Sequence, residues 1–77
     1  MYKKGIIFVR VRVDEWSSIG IGSIVRLEET ATSKDDYCAV TRLKTVELPG
    51  RPAPEQIKQG VHLGDFKPIQ PFKRKEL

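Results

Sequence analysis

Cysteine and histidine are almost absent from this sequence: Cys38 is the only cysteine and His62 the only histidine among 77 residues. One cysteine cannot form a disulfide within the chain, and two soft ligands are too few for a closed zinc site, which takes four. A chain of this length buries only about 60% of its unfolded surface. We therefore expect one domain with no disulfide and no metal, stabilised by its apolar core or by self-association as a homo-oligomer.

Long apolar runs are also missing. The apolar residues 6–9 follow a basic start, but the run is too short for a signal peptide and Arg10 ends it. No stretch approaches the roughly 18 apolar residues of a membrane span. A lone cysteine is typical of a reducing compartment. Together these features predict a cytoplasmic protein with no membrane partner.

Catalytic motifs are missing as well. General acid–base chemistry needs a titratable group held near neutral pH, whereas His62 lies between two apolar residues, as an outward-pointing histidine on a strand would. Residues 20–23 lack the spacing and the lysine of a phosphate-binding loop. Cys38, His62 and Asp65 supply the residue types of a nucleophilic triad, but Cys38 is better explained as a small buried residue. We predict no enzymatic activity and no cofactor.

The abundant residues favour β-strands. Isoleucine and valine together number 14, against eight for leucine and alanine, and β-branched residues fit a sheet better than a helix. Residues 6–13 alternate with period two, and residues 23–30 form a second strand. In the first strand we expect the valines to face the core, with Phe8, Arg10 and Arg12 on the solvated face.

The stretch that begins at Asp36 admits two interpretations. Its β-branched and aromatic residues favour a strand, whose alternation slips between Val40 and Leu43 and so predicts a β-bulge. Ser33 and Asp36 instead resemble the capping box of a helix over residues 34–47, which the following proline and glycine would end. We favour the strand and keep the helix as the alternative.

The predicted elements outline an all-β fold. We expect a small SH3-like or OB-like barrel of four to five short strands, with one short helical turn at residues 55–59 that Gly60 ends. Residues 22–27 resemble the glycine-then-apolar strand of several SH3-like families, including ribosome- and polymerase-associated ones. The alternative is an α+β fold, a β-hairpin with a helix at 34–47. The domain spans residues 1–70, and a basic C-terminal tail follows at 71–77.

Positive charge is in modest excess. Fourteen Lys and Arg oppose ten Asp and Glu, which gives a net charge of +4 and favours acidic partners. Basic side chains on neighbouring strands would lie about 5 Å apart and could neutralise phosphates, although they are also ordinary residues for a solvated face. We predict a non-catalytic protein that binds nucleic acid, RNA or DNA, or an acidic partner through a face made of Arg10, Arg12, Arg26, Arg42, Lys44 and Phe8.

The loop over residues 14–22 is unusually apolar. Trp16, Ile19 and Ile21 supply a large aromatic ring and two branched side chains, the kind of anchor that dominates protein interfaces, unless the loop packs on its own core. The alternative function is therefore a protein–protein interaction module. It would act as a small regulator or inhibitor, of the kind that phages and mobile elements encode, and bind an acidic or apolar patch on a larger protein through the Trp16 loop.

Overall fold

The computed structural model describes residues 1–69, which fold into one antiparallel sheet. Its strands are β1 at Ile7–Arg10, β2 at Ile24–Leu27, β3 at Tyr37–Lys44, β4 at Lys58–His62 and β5 at Phe66–Pro68. The strand order is β4-β3-β2-β1-β5. The all-β prediction is confirmed, while the sheet is open, with β4 and β5 at its edges. The predicted tail at 71–77 lies outside the described residues.

One face of the sheet carries the apolar core. Phe8 on β1 pairs with Val25 on β2, and Leu27 on β2 pairs with Val40 on β3. All four side chains are at most 1% exposed. The core is completed by Ile19, Ala31, Cys38, Val61, Leu63 and Phe66. Each large buried side chain contributes about 1.5–3 kcal/mol of transfer free energy, so this cluster is the main source of stability.

The predicted orientation of β1 is wrong. Phe8 and Arg10 lie on the core face, whereas Val9 is half-buried on the opposite face and Val11 is 43% exposed. Alternation separates the two faces but does not say which is buried, because both sets contain apolar residues. The face of β1 that carries Phe8 is the buried one, because burial of a phenylalanine ring removes more apolar surface from water than burial of a valine side chain does. The Phe8 ring also meets Tyr2 edge-on, with ring centroids 5.2 Å apart.

The helix alternative over 34–47 is wrong, and the strand interpretation is confirmed by β3. Asp36 does not cap a helix. Its Oδ2 accepts the backbone N–H groups of Thr32 at 2.7 Å and Ser33 at 3.1 Å, and its own N–H donates to the Ser33 carbonyl at 3.2 Å. These bonds close the loop between β2 and β3. Ser33 and Asp36, the pair that resembles the start of a helix in the sequence, therefore stabilise a turn.

A β-bulge interrupts β3 at Leu43. Arg42 pairs with Val25 and Lys44 pairs with Ile24, which leaves Leu43 as an extra residue opposite β2. The interruption that the sequence predicts for this part of the strand is therefore confirmed. A bulge bends its strand and increases the local twist, which curls this end of the sheet.

The helical turn predicted at residues 55–59 is wrong. β4 already begins at Lys58 and contains Gly60, and the Ile57 carbonyl just before it accepts the Arg42 N–H at 2.8 Å. Pairing with β3 therefore overrides the local preference for a turn. A single turn of 3-10 helix occurs instead at Leu63–Asp65, where it joins β4 at one edge of the sheet to β5 at the other.

Candidate binding groove

The structure does not bring the predicted basic face together. That face comprises Arg10, Arg12, Arg26, Arg42, Lys44 and Phe8. Arg10 and Arg42 are only 5% and 6% exposed, and Phe8 belongs to the core. Arg26 points to the opposite side of the sheet from Phe8. Directly paired residues share a face, and Arg26 pairs with Ile7, the neighbour of Phe8 on β1. The prediction that these side chains share one solvated face is therefore wrong.

Basic side chains do gather on the other side of the sheet, which we call the outer face. Cross-strand pairing places Lys58, Thr41 and Arg26 in one row, and the next row runs Lys44, Ile24, Val9 and Lys67. The outer face thus combines Arg26, Lys44, Lys58 and Lys67 with a half-buried apolar centre of Ile7, Val9 and Ile24. Arg26 Nε also contacts Glu28 Oε2 at 2.9 Å, a partly exposed ion pair worth less than about 1 kcal/mol.

Arg10 is the centre of a buried polar network on the core side. Its Nη2 donates to Ser17 Oγ at 2.6 Å and lies 3.4 Å from Asp65 Oδ2, while its Nε donates to the Arg12 carbonyl at 2.9 Å. The guanidinium also lies 5.0 Å from the centre of the Phe66 ring. Burial lowers the pKa of Arg10, and the nearby carboxylates, Asp65 first, oppose that change. Arg10 therefore stabilises the fold and offers little charge to a ligand.

Asp65 ties the end of β1 to the 3-10 turn. Its Oδ1 accepts a bond from Arg12 Nε at 3.1 Å, and Arg12 Nη2 donates to the Gly64 carbonyl at 2.8 Å. The backbone N–H groups of Val11 and Arg12 donate to the Asp65 carbonyl at 2.9 and 3.2 Å. Asp65 is thus the carboxylate that pairs with both Arg10 and Arg12, while Glu28 bonds Arg26.

The loop that follows β1 is shaped by Asp14 and Ser17. Asp14 Oδ1 accepts the Trp16 N–H at 2.9 Å and the Ser17 hydroxyl at 3.2 Å, and Ser17 Oγ accepts the Asp14 N–H at 2.9 Å. With the bond from Arg10, the Ser17 hydroxyl uses its one donor and both acceptor positions. The Trp16 N–H is the main reason that the pKa of Asp14 is lowered. This turn leaves the Trp16 side chain 84% exposed.

Two side chains from elsewhere in the chain hold the same loop. Arg51 Nη1 donates to the Ser17 carbonyl at 2.7 Å and to the Glu15 carbonyl at 3.3 Å. Gln59 Nε2 on β4 donates to Ser18 Oγ at 3.0 Å. Sequence reasoning missed both residues, because each bonds a loop more than 30 positions away. The loop is thus fixed by Arg10, Arg51 and Gln59 before any partner arrives.

The three loop residues predicted as an anchor have different positions. Ile19 is fully buried in the core, whereas Trp16 is 84% exposed and Ile21 57% exposed. Each of the two interpretations of the loop therefore holds for one residue. The loop packs on the core through Ile19, and it presents Trp16 to solvent.

A groove of about 180 Å³ lies between the Trp16 loop and β4. Its lining includes three exposed rings, those of Trp16, Tyr37 and His62. The Tyr37 ring lies against Gly60, where an added Cβ would be 2.7 Å from Tyr37 Cε2. Residues 59–62 all line the groove, so the groove runs along the edge strand β4. Because consecutive residues of a strand point to opposite faces, its lining draws on both faces of the sheet. Sequence reasoning did not select Tyr37 or His62, since nothing local marks them as neighbours of Trp16.

Cys38 and His62 do not form a catalytic pair. Cys38 pairs with Val61 on the core face, whereas His62 pairs with Tyr37 on the outer side of the sheet. The Cys38 thiol is buried, and burial raises its pKa. A thiol in this setting is a poor nucleophile, in line with the prediction that Cys38 is a small buried residue.

Within residues 1–69, no three His, Cys, Asp or Glu side chains are grouped as a metal site requires. No helix in this part of the chain is long and apolar enough to cross a membrane. No known protein family matches the chain, and neither does any curated protein or solved structure. The functional argument therefore depends on the groove and the outer face themselves.

Proposed function

We propose that this chain is a non-catalytic binding protein that takes a segment of a larger protein into the groove between Trp16 and β4. One observation carries the proposal: Trp16 is 84% exposed on a loop held by hydrogen bonds from three other parts of the fold. A tryptophan left in water forgoes the free energy of burial. A loop that is already ordered reduces the entropy cost of binding, and tryptophan is among the residues enriched in interface hot spots.

The charge of the groove favours a protein over a nucleic acid. Arg10 lies at the groove but is already bonded to Ser17 and Asp65. Asp14, in contrast, is an exposed carboxylate at the rim. Phosphates that enter the groove would meet this negative charge, and the arginine that lines the groove, Arg10, is already paired with Asp65.

The strand order supports an SH3-like small barrel as the scaffold of the groove. β4 and β5 lie at opposite edges of five strands, yet only the three residues Leu63–Asp65 separate them in the chain. Four strand spacings of about 4.8 Å would keep the edges of a flat sheet roughly 19 Å apart. Three residues of 3-10 helix advance only about 6 Å. The sheet must therefore curl strongly, as it does in a small barrel.

A second candidate function is nucleic-acid binding on the outer face. Its support is the group of basic side chains there, Arg26, Lys44, Lys58 and Lys67, of which two were predicted from the sequence. These side chains would neutralise phosphates, so affinity would fall steeply as salt rises. This mode does not involve Trp16, so the two candidates can be separated by mutation.

The test is to select, from a displayed library of random peptides, those that bind the full chain. Their affinities are then measured for the full chain and for two matched variants. Trp16→Ala removes the exposed ring, and we expect selected peptides to bind about thirtyfold more weakly. Ile21→Ala removes an exposed apolar side chain of the same loop that does not line the groove, and we expect little change.

The opposite result would favour the outer face. If no selected peptide depends on Trp16, the proposal for the groove fails. If single-stranded oligonucleotides bind instead, and their salt dependence is reduced by Arg26→Ala with Lys67→Ala, nucleic acid becomes the better-supported partner.

A further inference from the structure

Within residues 1–69, one edge of β4 carries backbone groups that pair with no other strand. The Arg42 N–H donates to the Ile57 carbonyl at 2.8 Å, and the Leu63 N–H donates to the Asp36 carbonyl at 2.9 Å. Bonds to one neighbour alternate along an antiparallel strand, so residues 57, 59, 61 and 63 direct their backbone groups to β3. The other side of β4 has no neighbouring strand among the described residues. The residues whose backbone groups point to that side are Lys58, Gly60 and His62.

We propose that the segment taken into the groove is an extended peptide that pairs with β4 as an additional strand and places a lysine or arginine side chain between Trp16 and Asp14. This inference rests on the proposed function, and it adds the mode of binding and the chemistry of the ligand.

The backbone of β4 suits an added strand. An open edge with free N–H and C=O groups is a template for β-strand addition. Features that block such pairing are few here: β4 contains no proline, its pairing with β3 is regular, and its one lysine is Lys58 at the start. Gly60, at the middle of the exposed edge, has no side chain to crowd an incoming backbone.

The side chains of the groove suit a cation. Both hydrogen bonds that the Asp14 side chain makes within residues 1–69 use Oδ1, which leaves Oδ2 available. Trp16 and Tyr37 line the same groove with exposed rings, and the face of an aromatic ring attracts a cation. Because Asp65 is already paired with Arg10 and Arg12, Asp14 is the carboxylate that remains for the ligand.

A second copy of this chain is a poorer occupant of the edge. Antiparallel pairing of two β4 strands about Gly60 would place each Lys58 opposite the His62 of the second copy. The residues whose backbone groups point out from this edge, Lys58, Gly60 and His62, include no acidic side chain. Pairing of two copies would therefore form no opposite-charge pair across the strands, whereas a peptide can supply a side chain that matches the groove.

The side-chain part of the proposal is tested with two synthetic peptides. The first is an acetylated and amidated heptapeptide of alternating threonine and valine with one central lysine, and the second carries norleucine in place of that lysine. In NMR titrations of the isotope-labelled full chain, we expect the lysine peptide to bind about tenfold more tightly. Asp14→Asn should reduce this difference, and it is a matched change because an asparagine oxygen can still accept the Trp16 N–H.

The backbone part is tested with N-methylated versions of the lysine peptide. Methylation removes one amide donor and blocks close pairing, so we expect the affinity loss to alternate along the peptide with period two. The amide resonances of Lys58, Gly60 and His62 should shift downfield on binding, while those of Gln59 and Val61, which already bond β3, should move less.

Several results would overturn the inference. Equal affinity for the lysine and norleucine peptides, no alternation in the methylation series, or no binding of the lysine peptide at millimolar concentration would each do so. If other selected peptides still depend on Trp16, the proposed function survives this failure. If no selected peptide depends on Trp16, both this inference and the proposed function are contradicted. Concentration-dependent dimerisation, with the same amide shifts in the absence of peptide, would assign the edge to a second copy instead.

Discussion

The groove side and the outer face of the sheet both carry arginine, but its surroundings differ. Arg10 is 5% exposed, bonds Ser17 and the Arg12 carbonyl, and is paired with Asp65. Arg26, on the neighbouring strand, is exposed, and its one ion pair within residues 1–69 is with Glu28. The first arginine organises a loop, and the second is a solvated charge. The same residue type therefore serves as structure on one side and as available charge on the other.

This difference follows from desolvation. A buried ion pair is screened little by salt, and loss of one partner leaves the other charge buried without compensation. An exposed pair gains little, because water competes for both groups. The net charge of +4 therefore overstates the charge that the groove can offer, since part of it is buried around Arg10 and Arg42.

The largest predicted effect compares Arg10→Met with Arg26→Met. Both changes keep a long apolar side chain and remove the guanidinium. We expect Arg10→Met to lower the free energy of unfolding by about 3 kcal/mol, because Ser17 and the Arg12 carbonyl each lose a donor and Asp65 keeps only the more exposed of its two arginine partners in residues 1–69. Arg26→Met should change it by less than about 1 kcal/mol. Urea denaturation of both variants measures the difference, and similar values would remove the distinction between the two regions.

Sequence patterns were sufficient for much of the fold. The alternation of residues 6–13 and 23–30 located β1 and β2, and the broken alternation near Leu43 located the bulge. The orientation of β1 was not available, because Phe8 and Val9 are both apolar and Arg10 is buried by a partner 55 positions away. Gly64 and Asp65 are a dipeptide typical of turns, and the turn lies there, at Leu63–Asp65. That this turn joins the two edge strands is a property of the assembled sheet and has no local signal.

The candidate site was predictable only in part. An apolar loop with one tryptophan stands out from composition, and the Trp16 loop was selected on that basis. The opposite wall of the groove was not selected, because Tyr37 and Gly60 come to line the same groove as Trp16 only after β3 and β4 have paired. The local signal that was available is the spacing of Asp14 and Ser17, which is typical of a turn that bonds its own backbone.

The second prediction concerns the pH dependence of the Trp16 loop. The pKa of Asp14 is lowered in the fold, mainly by the Trp16 N–H, so its ionised form stabilises the loop. This contribution is fully present above the unfolded pKa of about 3.9 and is lost as the pH falls through the lower folded pKa. Trp16 is the only tryptophan, so its fluorescence should stay constant to below pH 4 and then change.

Asp14→Asn is the control for this titration. The asparagine oxygen accepts the same N–H but does not titrate, so the fluorescence change below pH 4 should be smaller in this variant. An unchanged titration in Asp14→Asn would mean that another group controls the loop. It would also weaken the view that the groove side is held by its own polar side chains.

The smallest predicted effect concerns the wall of the groove opposite Trp16. In Gly60→Ala the new Cβ would be 2.7 Å from Tyr37 Cε2, so the ring must move. Because Tyr37 is 73% exposed, the ring can turn into solvent, and we expect the free energy of unfolding to change by less than about 1 kcal/mol. The ring-proton chemical shifts of Tyr37 should change clearly, and peptide affinity should fall less than in Trp16→Ala.

A double-mutant cycle makes this last prediction specific to one contact. Once Tyr37→Ala has removed the ring, Gly60→Ala should have no further effect on peptide affinity, because the clash no longer exists. Additive losses would mean instead that the alanine acts on the β4 backbone itself, by crowding an incoming strand. The cycle therefore distinguishes an effect of Gly60→Ala through the position of the Tyr37 ring from an effect on the approach of another backbone to β4.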